Sequence, residues 1–454
     1  MMTRTKRLPA LAALTLLAAC SAVPPELAAP ARPHSAEGVL EQAGMPLRWW
    51  ESFEDPALDR LLSQALASNL DLAAAAERIR EQRAQRRLAG AALFPVVNAG
   101  ASAQRAAAVE PASWAGLDLS WELDLFGRLR AQRDAAQAQE QATEHDYQAL
   151  RLSLMAEVAV AYLQLRLAEQ QARLAESTGE VLRRTSALVE ARRRLGMASR
   201  LDAERMIAES ESTYAEVPLA QQQVTAARHA LAYLLATEVA AIDDVLALGG
   251  GQPQVPHRDA LEALLAMPVD ALRWRPDVRA AERRMAASGG ELAAERAARF
   301  PQLTLGSLGG VEQGVSGPAW TLGLQLLQPL FDFGRIQSRI DGADARLAQS
   351  RLAYASALRL AVRQSQTSIH GYGQSMRREA RLDAAATAAS QAVGLARRQY
   401  EAGMVSLLEV LDAERSAYDI QRSLASARID VALRWVEIYQ TLGVYSDVPA
   451  ARAG

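Results

Sequence analysis

The sequence predicts a mixed fold, in which long α-helical hairpins and pairs of β-strands arise from one internal tandem repeat. Three observations predict it. The hexapeptides GMASRL, from Gly196, and GMVSLL, from Gly403, nearly match and lie 207 residues apart in a chain of 454 residues. Each follows a long proline-free segment rich in helix-forming residues. Each half also contains a stretch in which apolar and polar residues alternate strictly.

The proline-free segments predict two very long helices. They begin at Arg128 and Arg335 and run to the two hexapeptides. The first carries an apolar stripe at three- and four-residue steps, formed by Tyr147, Leu150, Leu154, Val158, Ala161 and Leu165. A helix of this length spans about 100 Å, which is typical of coiled-coil-like rods packed against other rods.

The hexapeptides are interpreted as the tips of helical hairpins, at about 196–202 and 403–409. Their first glycine can adopt the left-handed conformation that ends a helix. Ser199 and Ser406 can then cap the next helix, and each is followed three residues later by a carboxylate, Asp202 or Glu409. Ser406 with Glu409 fits the full capping-box pattern. Two unrelated surface turns are the alternative, which the further matches between the halves disfavour.

Other motifs repeat in the same order in both halves. The pairs are FP at Phe94 and Phe300, LFGRL from Leu125 and DFGRI from Asp332, and NLDLAAAAERI from Asn69 and RPDVRAAERRM from Arg275. We therefore predict a first repeat over residues 55–248 and a second over 258–443. A linker over 249–257, GGGQPQVPH, separates them, and a tail over 444–454 follows.

Each repeat is predicted to contain two strands, at about 96–125 and 302–331. From Ala115 to Leu125 the chain alternates, with Asp118, Glu122 and Asp124 on its polar face. WTLGLQL, from Trp320, alternates in the same way. Eleven tilted residues give a height of roughly 25 Å, the apolar band of a membrane barrel. A soluble sheet packed on a core would alternate equally well.

The N-terminal sequence favours the membrane barrel over the soluble sheet. Basic residues precede an apolar run from Leu8 to Leu17, which is typical of a signal peptide over residues 1–19. The run ends in LAAC, and Cys20 is the only cysteine of the chain. This pattern resembles a lipoprotein cleavage site, so Cys20 is predicted to carry lipid and residues 20–54 to form a lipid-anchored tether.

Four strands cannot close a barrel, and lipid does not tolerate an open strand edge. Strands from several copies must therefore complete one barrel, eight from two copies or twelve from three. The polar face with Asp118, Glu122 and Asp124 is expected to line its lumen. Five aromatic side chains are expected in the interfacial girdles, namely Trp114, Trp121, Trp320, Phe331 and Phe333.

Together, these motifs resemble a known family. LAAC, WWESFEDPALDRLLSQALASNLDL from Trp49, RPDV from Arg275, both FP and both FGR sites, and YEAGMVSLLEVLDAER from Tyr400 are similar to the TolC-like outer-membrane factors. The closest resemblance is to the lipoprotein branch that serves tripartite multidrug pumps. It implies a homotrimer with a twelve-stranded outer-membrane barrel above a long periplasmic helical barrel. It also implies an inner-membrane efflux transporter and a periplasmic adaptor as partners, and a Gram-negative outer membrane as location.

The resemblance gives roles to the hairpin tips. It implies that adaptor hairpins dock at Gly196, Met197, Ser199, Gly403, Met404, Val405 and Ser406. It also implies a closed pore with Leu408 as apolar constriction, Asp412 in a carboxylate ring and Arg415 in ion pairs. Spacings of four and three place this trio on one helix face. An exposed pair between Asp412 and Arg415 on the same helix is the plain structural alternative.

Composition excludes other classes of function. The net charge is −2, so no nucleic-acid partner is expected. The five histidines are scattered without metal-ligand spacing, so no catalytic residue, metal or cofactor is predicted. The predicted function is an exit duct for drugs or other small toxic compounds. Type I protein secretion and a non-porous structural lipoprotein spanning the periplasm remain as alternatives.

Overall fold

A computed structural model describes residues 48–105, 112–249, 269–312 and 317–444. Two short 3-10 helices, Trp49–Phe53 and Val269–Trp274, accompany eight α-helices and four strands in these ranges. The helices are α1 (Pro56–Ser68), α2 (Leu70–Ala91), α3 (Arg128–Arg194), α4 (Arg200–Leu234), α5 (Val239–Leu246), α6 (Pro276–Ala297), α7 (Arg335–Glu401) and α8 (Leu407–Leu442). The strands are β1 (Val96–Gln104), β2 (Ala112–Leu123), β3 (Gln302–Glu312) and β4 (Ala319–Leu327).

The four strands form one antiparallel sheet in the order β1-β2-β3-β4. Leu117 at its centre lies opposite Ala99 of β1 and Gly309 of β3. The two central strands come unusually close at Gly116, where an added Cβ would lie 2.3 Å from the Gly309 carbonyl oxygen. A glycine is required there because any side chain would separate β2 from β3. The predicted strands are confirmed, although they end at Leu123 and Leu327, short of the predicted ends.

The predicted long helices are also confirmed. Helices α3 and α7 each contain 67 residues and extend for about 100 Å. Each begins directly after the glycine of an FGR motif, Gly127 with φ of 77° and Gly334 with φ of 83°. This left-handed geometry suits glycine, which has no Cβ to clash, and turns the chain from strand into helix. None of the helices in the described ranges is both long and apolar enough to cross a lipid bilayer.

The main hydrophobic core lies halfway along α3 and α7, where α1, α4, α5 and the end of α8 pack on them. Its centre is aromatic: the ring centroids of Trp435 and Tyr439 are 5.1 Å apart, and Tyr372 lies 5.6 Å from Trp435. Beyond this core, towards the sheet, α2 and α6 run beside the long helices. Towards the other end, α3 pairs with α4 and α7 with α8 as two hairpins.

The predicted tether is wrong in its last part. Trp49, Trp50 and Phe53 fall inside the predicted 20–54 segment, but each side chain is only 1% exposed and belongs to the main core. Fully burying one such side chain stabilises the fold by about 2 kcal/mol, so three in five residues hold this segment against the helices. Helix α1 then starts as its sequence suggests, with Asp55 as N-cap and Pro56 at the first position.

Several predicted segments lie outside the described residues. They are the signal peptide, Cys20, most of the tether and residues 250–257 of the linker. Residues 445–454 of the predicted tail lie outside as well, whereas Val444 belongs to the main core and is 1% exposed.

Candidate functional site at the hairpin tips

Both hairpin tips end their first helix in the same way. The amide of Gly196 donates to the Arg193 carbonyl at 2.9 Å, and the amide of Met197 donates to the Arg192 carbonyl at 2.8 Å. The tip at Gly403 repeats these two bonds at 3.0 and 2.8 Å. This is a Schellman motif, which satisfies the last free carbonyls of a helix and needs a left-handed residue. The glycines accordingly have φ of 74° and 73°.

Capping boxes start the second helix of each hairpin. Ser199 accepts from the Asp202 amide at 3.0 Å and its own amide donates to the Asp202 carboxylate at 3.2 Å. At the second tip, the Ser406 amide donates to Glu409 at 2.6 Å, and hydrogen bonds from Ser406 lower the pKa of that carboxyl. The predicted box at Ser406 is confirmed, and the shorter aspartate completes a second box at Ser199.

The turns between these helices expose apolar side chains. Met197 is 72% exposed and Met404 is 69% exposed, while Val405 is half-buried beside them. Leu195 and Leu201 extend the exposed apolar surface of the first tip. Methionine side chains are flexible and adapt to irregular partners, and an apolar surface at a helix tip is suited to protein contacts.

Leu408, Asp412 and Arg415 are all exposed on one face of α8. An adjoining face of α8 is buried in the tip cluster, which joins both hairpins and consists of Leu182, Val189, Ala203, Met206, Leu407 and Leu411. Leu407 and Leu411 hold this adjoining face inside the subunit, whereas the face with Leu408, Asp412 and Arg415 stays exposed beside the tip cluster.

The two charged members of the trio form no ion pair with the described residues of their own subunit. Within the described part of the chain, neither Asp412 nor Arg415 lies within 4 Å of an opposite charge. The simple alternative, an Asp412–Arg415 pair along α8, is therefore not formed. Of the charges at the first tip, Arg200 lies 3.5 Å from Glu204, and Asp202 is engaged in its capping box.

Two contacts between helices at the tips have no signal in the sequence, whereas a third interaction, within α3, follows the three- and four-residue spacing of helical ion pairs. The Arg192 guanidinium lies 5.1 Å from the centre of the Tyr400 ring and so connects the ends of α3 and α7. Arg193 and Arg194 hold Glu190 and lower the pKa of its carboxyl to about 2. Arg397 on α7 donates to the buried Glu414 carboxylate of α8 at 2.8 Å. Arginines and carboxylates are too frequent in these helices for spacing alone to select such partners.

The three predicted lumen residues have different environments. Asp118 accepts from the Asn98 amide group at 2.9 Å across β1 and β2. Glu122, near the end of β2, forms an ion pair with Arg128 at 2.6 Å. Asp124 lies one residue beyond the strand, where its carboxylate accepts from the Leu129 amide at 3.0 Å and caps the start of α3. Its pKa is lowered by backbone and side-chain hydrogen bonds, which outweigh the opposing effect of burial.

Chemistry at a metal or catalytic centre has no support in the described ranges. No three side chains of His, Cys, Asp or Glu converge there as metal ligands would. The features that stand out are instead a sheet with two free edges, a pair of long hairpins and an unpaired trio near one tip. A chain of this design supplies part of a barrel and part of a tunnel, and therefore belongs to the class of oligomeric outer-membrane channels.

Comparison with known proteins identifies the family: the chain belongs to the outer membrane efflux proteins, whose family model matches residues 61–237 and 267–444. It is 32% identical to the pyoverdine export outer membrane protein OpmQ of Pseudomonas putida, over 95% of both chains. It is 31% identical to the outer membrane protein OprJ of Pseudomonas aeruginosa, over 95% of this chain and 94% of that protein.

A solved structure agrees. The outer-membrane channel OprN is similar with a TM-score of 0.78 and 33% identity, over 87% of this chain and 92% of OprN. The predicted fold class and efflux function are thereby confirmed, and the non-porous rod is not supported. Channels of this family are non-enzymatic, form homotrimers and work with adaptor and inner-membrane pump components.

Proposed function

We propose that this chain forms the outer-membrane duct of a tripartite efflux system, and that Leu408, Asp412 and Arg415 from three subunits close its periplasmic end at rest. One observation supports the gate: the three side chains are exposed on a single face of α8 next to the tip, and Asp412 and Arg415 form no ion pair with the described part of their own subunit. In a homotrimer, one face of α8 from each subunit can converge on the axis. The trio then forms stacked rings.

The chemistry of the rings suits a closed pore. Leu408 supplies an apolar constriction that disfavours water and ions. Three Asp412 carboxylates held close together repel one another, which is costly unless cations lie nearby. Arg415, about 4.5 Å further along the helix axis, supplies those cations from the same or a neighbouring subunit. Closure therefore depends on charge pairing that a docked partner can disturb.

The tips supply the docking surface for the adaptor. Seven positions form it: Gly196, Met197, Ser199, Gly403, Met404, Val405 and Ser406. Two observations support this docking surface. The Schellman turns and capping boxes hold the backbone of each tip in one conformation, and the exposed methionines offer flexible apolar side chains to a partner. The predicted adaptor contact is with a helical hairpin of a periplasmic protein.

The N-terminus anchors the duct to lipid through Cys20. The sequence LAAC after a short apolar run supports this proposal, and the burial of Trp49, Trp50 and Phe53 is compatible with a lipid-anchored chain that enters the core at this segment. Replacing Cys20 with serine is expected to abolish incorporation of labelled palmitate. Incorporation that persists in Cys20→Ser would contradict the proposed lipid site.

The cargo class is small organic compounds. Curated relatives carry the names of such cargo, pyoverdine for OpmQ and toluene for the efflux protein TtgF of Pseudomonas putida. A deletion strain complemented with this chain and its cognate pump should regain resistance to such compounds. Secretion of a protein substrate without any change in resistance would instead favour type I secretion.

The gate is tested by ion conductance of the purified oligomer in planar bilayers. Wild type is expected to conduct weakly, and Asp412→Ala and Leu408→Ala are each expected to raise conductance several-fold. Glu211→Ala is the control, because it removes an exposed carboxylate from the first hairpin. Unchanged conductance in both gate variants would refute the gate. No conductance from any variant, with insertion verified, would refute the channel.

A further inference from the structure

The two repeats share the spacing of their helices and an equivalent hydrogen bond. Helix α6 follows α2 by 206 residues at both ends, and α7 follows α3 by 207. The Trp121 indole N–H donates to the Leu93 carbonyl at 2.9 Å, and the Gln328 side-chain amide, 207 residues later, donates to the Arg299 carbonyl at 3.0 Å. Two chemically different side chains thus make the same bond at equivalent positions. The repeat offsets therefore identify the positions at which a contact of one repeat can have its counterpart in the other.

Inside one subunit, two of the contacts between the first and the second repeat lie where the strands turn into the helices. Phe126 of the first FGR motif stacks on Phe300 of the second FP motif, with ring centroids 4.8 Å apart and an interplanar angle of 12°. Below this stack, α3 packs closely on α6 at Gly290, where an added Cβ would lie 2.9 Å from the Cβ of Ala135. Stacked rings and a close helix crossing mark this internal junction.

The equivalent side chains at the outer edges of the subunit are uncovered. Phe333 of the second FGR motif is fully exposed, and Phe94 of the first FP motif is 69% exposed. Leu88 on α2 is 74% exposed, whereas Ala294, its counterpart on α6, is buried. β1 and β4 are likewise the free edges of the sheet. Large apolar groups and strand edges are not left in this state in a finished membrane channel.

We propose that Phe333 stacks on Phe94 of the neighbouring subunit, so that each subunit interface reproduces the internal Phe126–Phe300 junction. The partner is a second copy of this chain, because a closed ring of subunits must place a second repeat beside the first repeat of the next. This inference rests on the homotrimeric assembly of the family and not on the gate. It specifies side-chain pairs that the trimer alone does not define.

The helices show a reciprocal fit. The internal crossing uses glycine on the short helix and alanine on the long one, Gly290 and Ala135. At the equivalent crossing between two subunits, the short helix α2 carries Ala84 and the long helix α7 carries Gly342. Each crossing thus pairs one glycine with one alanine, but the glycine lies on the short helix in one and on the long helix in the other. An added Cβ on Gly342 would meet only the Arg346 side chain, at 3.7 Å, within its own subunit. The space that this glycine leaves is therefore open to a neighbouring helix.

The sheet supplies a strand register for the same interface. Leu119 lies opposite Ser307 and Leu117 opposite Gly309 where β2 meets β3. Transferred by the repeat offsets, this pairing places Leu326 of β4 opposite Ala101, and Leu324 opposite Ala103, on β1 of the neighbouring subunit. A shift of register by one residue would exchange the two faces of every strand, so this register is specific.

Cysteine pairs in the full-length chain, expressed in its membrane, test the junction. Phe94→Cys with Phe333→Cys should be joined between subunits by a short bifunctional thiol reagent, moving most of the chain to dimer and trimer bands in denaturing electrophoresis. The matched control, Phe126→Cys with Phe300→Cys, should react within one chain and leave the band monomeric. Phe94→Cys or Phe333→Cys alone should give no dimer or trimer bands. This result would also exclude cross-linking through Cys20.

A second cysteine pair, placed on the edge strands, leaves all four phenylalanines in place. It tests the same interface if the variants that replace phenylalanine do not assemble into trimers. Ala101→Cys with Leu326→Cys should form an intersubunit disulfide on mild oxidation, since opposite residues of antiparallel strands lie within disulfide distance. Ala99→Cys with Leu326→Cys is the shifted control. The inference is overturned if the shifted pair reacts better, or if the Phe94–Phe333 pair stays monomeric in intact trimers while the Phe126–Phe300 pair reacts.

Discussion

Arg397 donates to the Glu414 carboxylate at 2.8 Å and links α7 to α8 within the second hairpin. The Glu414 side chain is only 6% exposed, whereas that of Arg397 is 43% exposed. The second carboxylate oxygen of Glu414 has no hydrogen-bond partner among the described residues. A buried charge thus depends on a single partner, two turns above the tip.

Removing Arg397 alone is expected to destabilise the hairpin more than removing both Arg397 and Glu414. Arg397→Ala leaves a buried carboxylate unpaired and should cost about 3 kcal/mol. Arg397→Met with Glu414→Leu removes both charges and should cost less than 1 kcal/mol. Thermal unfolding of the detergent-solubilised trimer, followed by circular dichroism, measures both. Equal losses of stability in the single and the double variant would mean that Arg397 does not compensate the buried charge of Glu414.

The tip glycines are expected to differ from a helical glycine when changed to alanine. Gly196→Ala and Gly403→Ala should each cost about 1 kcal/mol, because an L-residue is strained at their positive φ although no atom lies within 4 Å of the added Cβ. Gly289→Ala within α6 should instead stabilise by up to about 1 kcal/mol, since its site is equally open but helical. Melting temperatures of the three variants test the sign; a stabilising tip substitution would contradict the Schellman geometry.

Trp49 is expected to be essential for the stability of the core. Its ring centroid lies 5.6 Å from that of Trp50 and 6.2 Å from that of Tyr439. Trp49→Ala should cost about 3 to 5 kcal/mol through lost burial and the cavity left behind. Leu70→Ala, at a side chain that is 72% exposed, is the control and should have little effect. If both variants melt alike, the Trp49–Phe53 segment does not belong to the folded core.

Stability should fall steeply in alkaline solution. Burial raises the pKa of Tyr162, Tyr372 and Tyr439, that of Tyr372 to about 12. In the unfolded chain these hydroxyls ionise near pH 10. The stabilisation that these tyrosines contribute to the folded state is therefore complete below about pH 10. It is lost as the pH rises towards their raised pKa values in the folded chain. The slope is about 1.4 kcal/mol per pH unit for each tyrosine. Melting temperatures between pH 9 and 12, with absorbance at 295 nm, should show ionisation of these tyrosines together with unfolding.

Tyr439→Phe separates this effect from packing. The Tyr439 hydroxyl is buried without a hydrogen-bond partner among the described residues, so its removal should not lower stability at neutral pH. It should make the alkaline slope shallower by the contribution of one tyrosine. Tyr233→Phe, at a side chain that is 77% exposed, is the control and should leave the slope unchanged. An unchanged slope in Tyr439→Phe would contradict the raised pKa.

The sequence by itself determined the repeat, the hairpins and the strands, because each depends on neighbours along the chain. The glycines and serines of the two hexapeptides define the tips through bonds that span three to five residues. Strict alternation likewise determined β2. The common helix face of Leu408, Asp412 and Arg415 also followed from helical spacing, although their role in closing a pore remains a proposal.

The tertiary structure decided what lies far apart in sequence. The Tyr162 hydroxyl bonds to Asp55, 107 residues earlier, and Arg166 donates to that hydroxyl at 2.9 Å. Asp55 also caps helix α1, which is a local role that does not indicate its bond to Tyr162. The stack of Phe126 on Phe300 and the burial of Trp49 depend in the same way on which helices pack together. Local patterns cannot encode such pairs, because many arginines and aromatic residues satisfy the same spacing and only the packed fold selects among them.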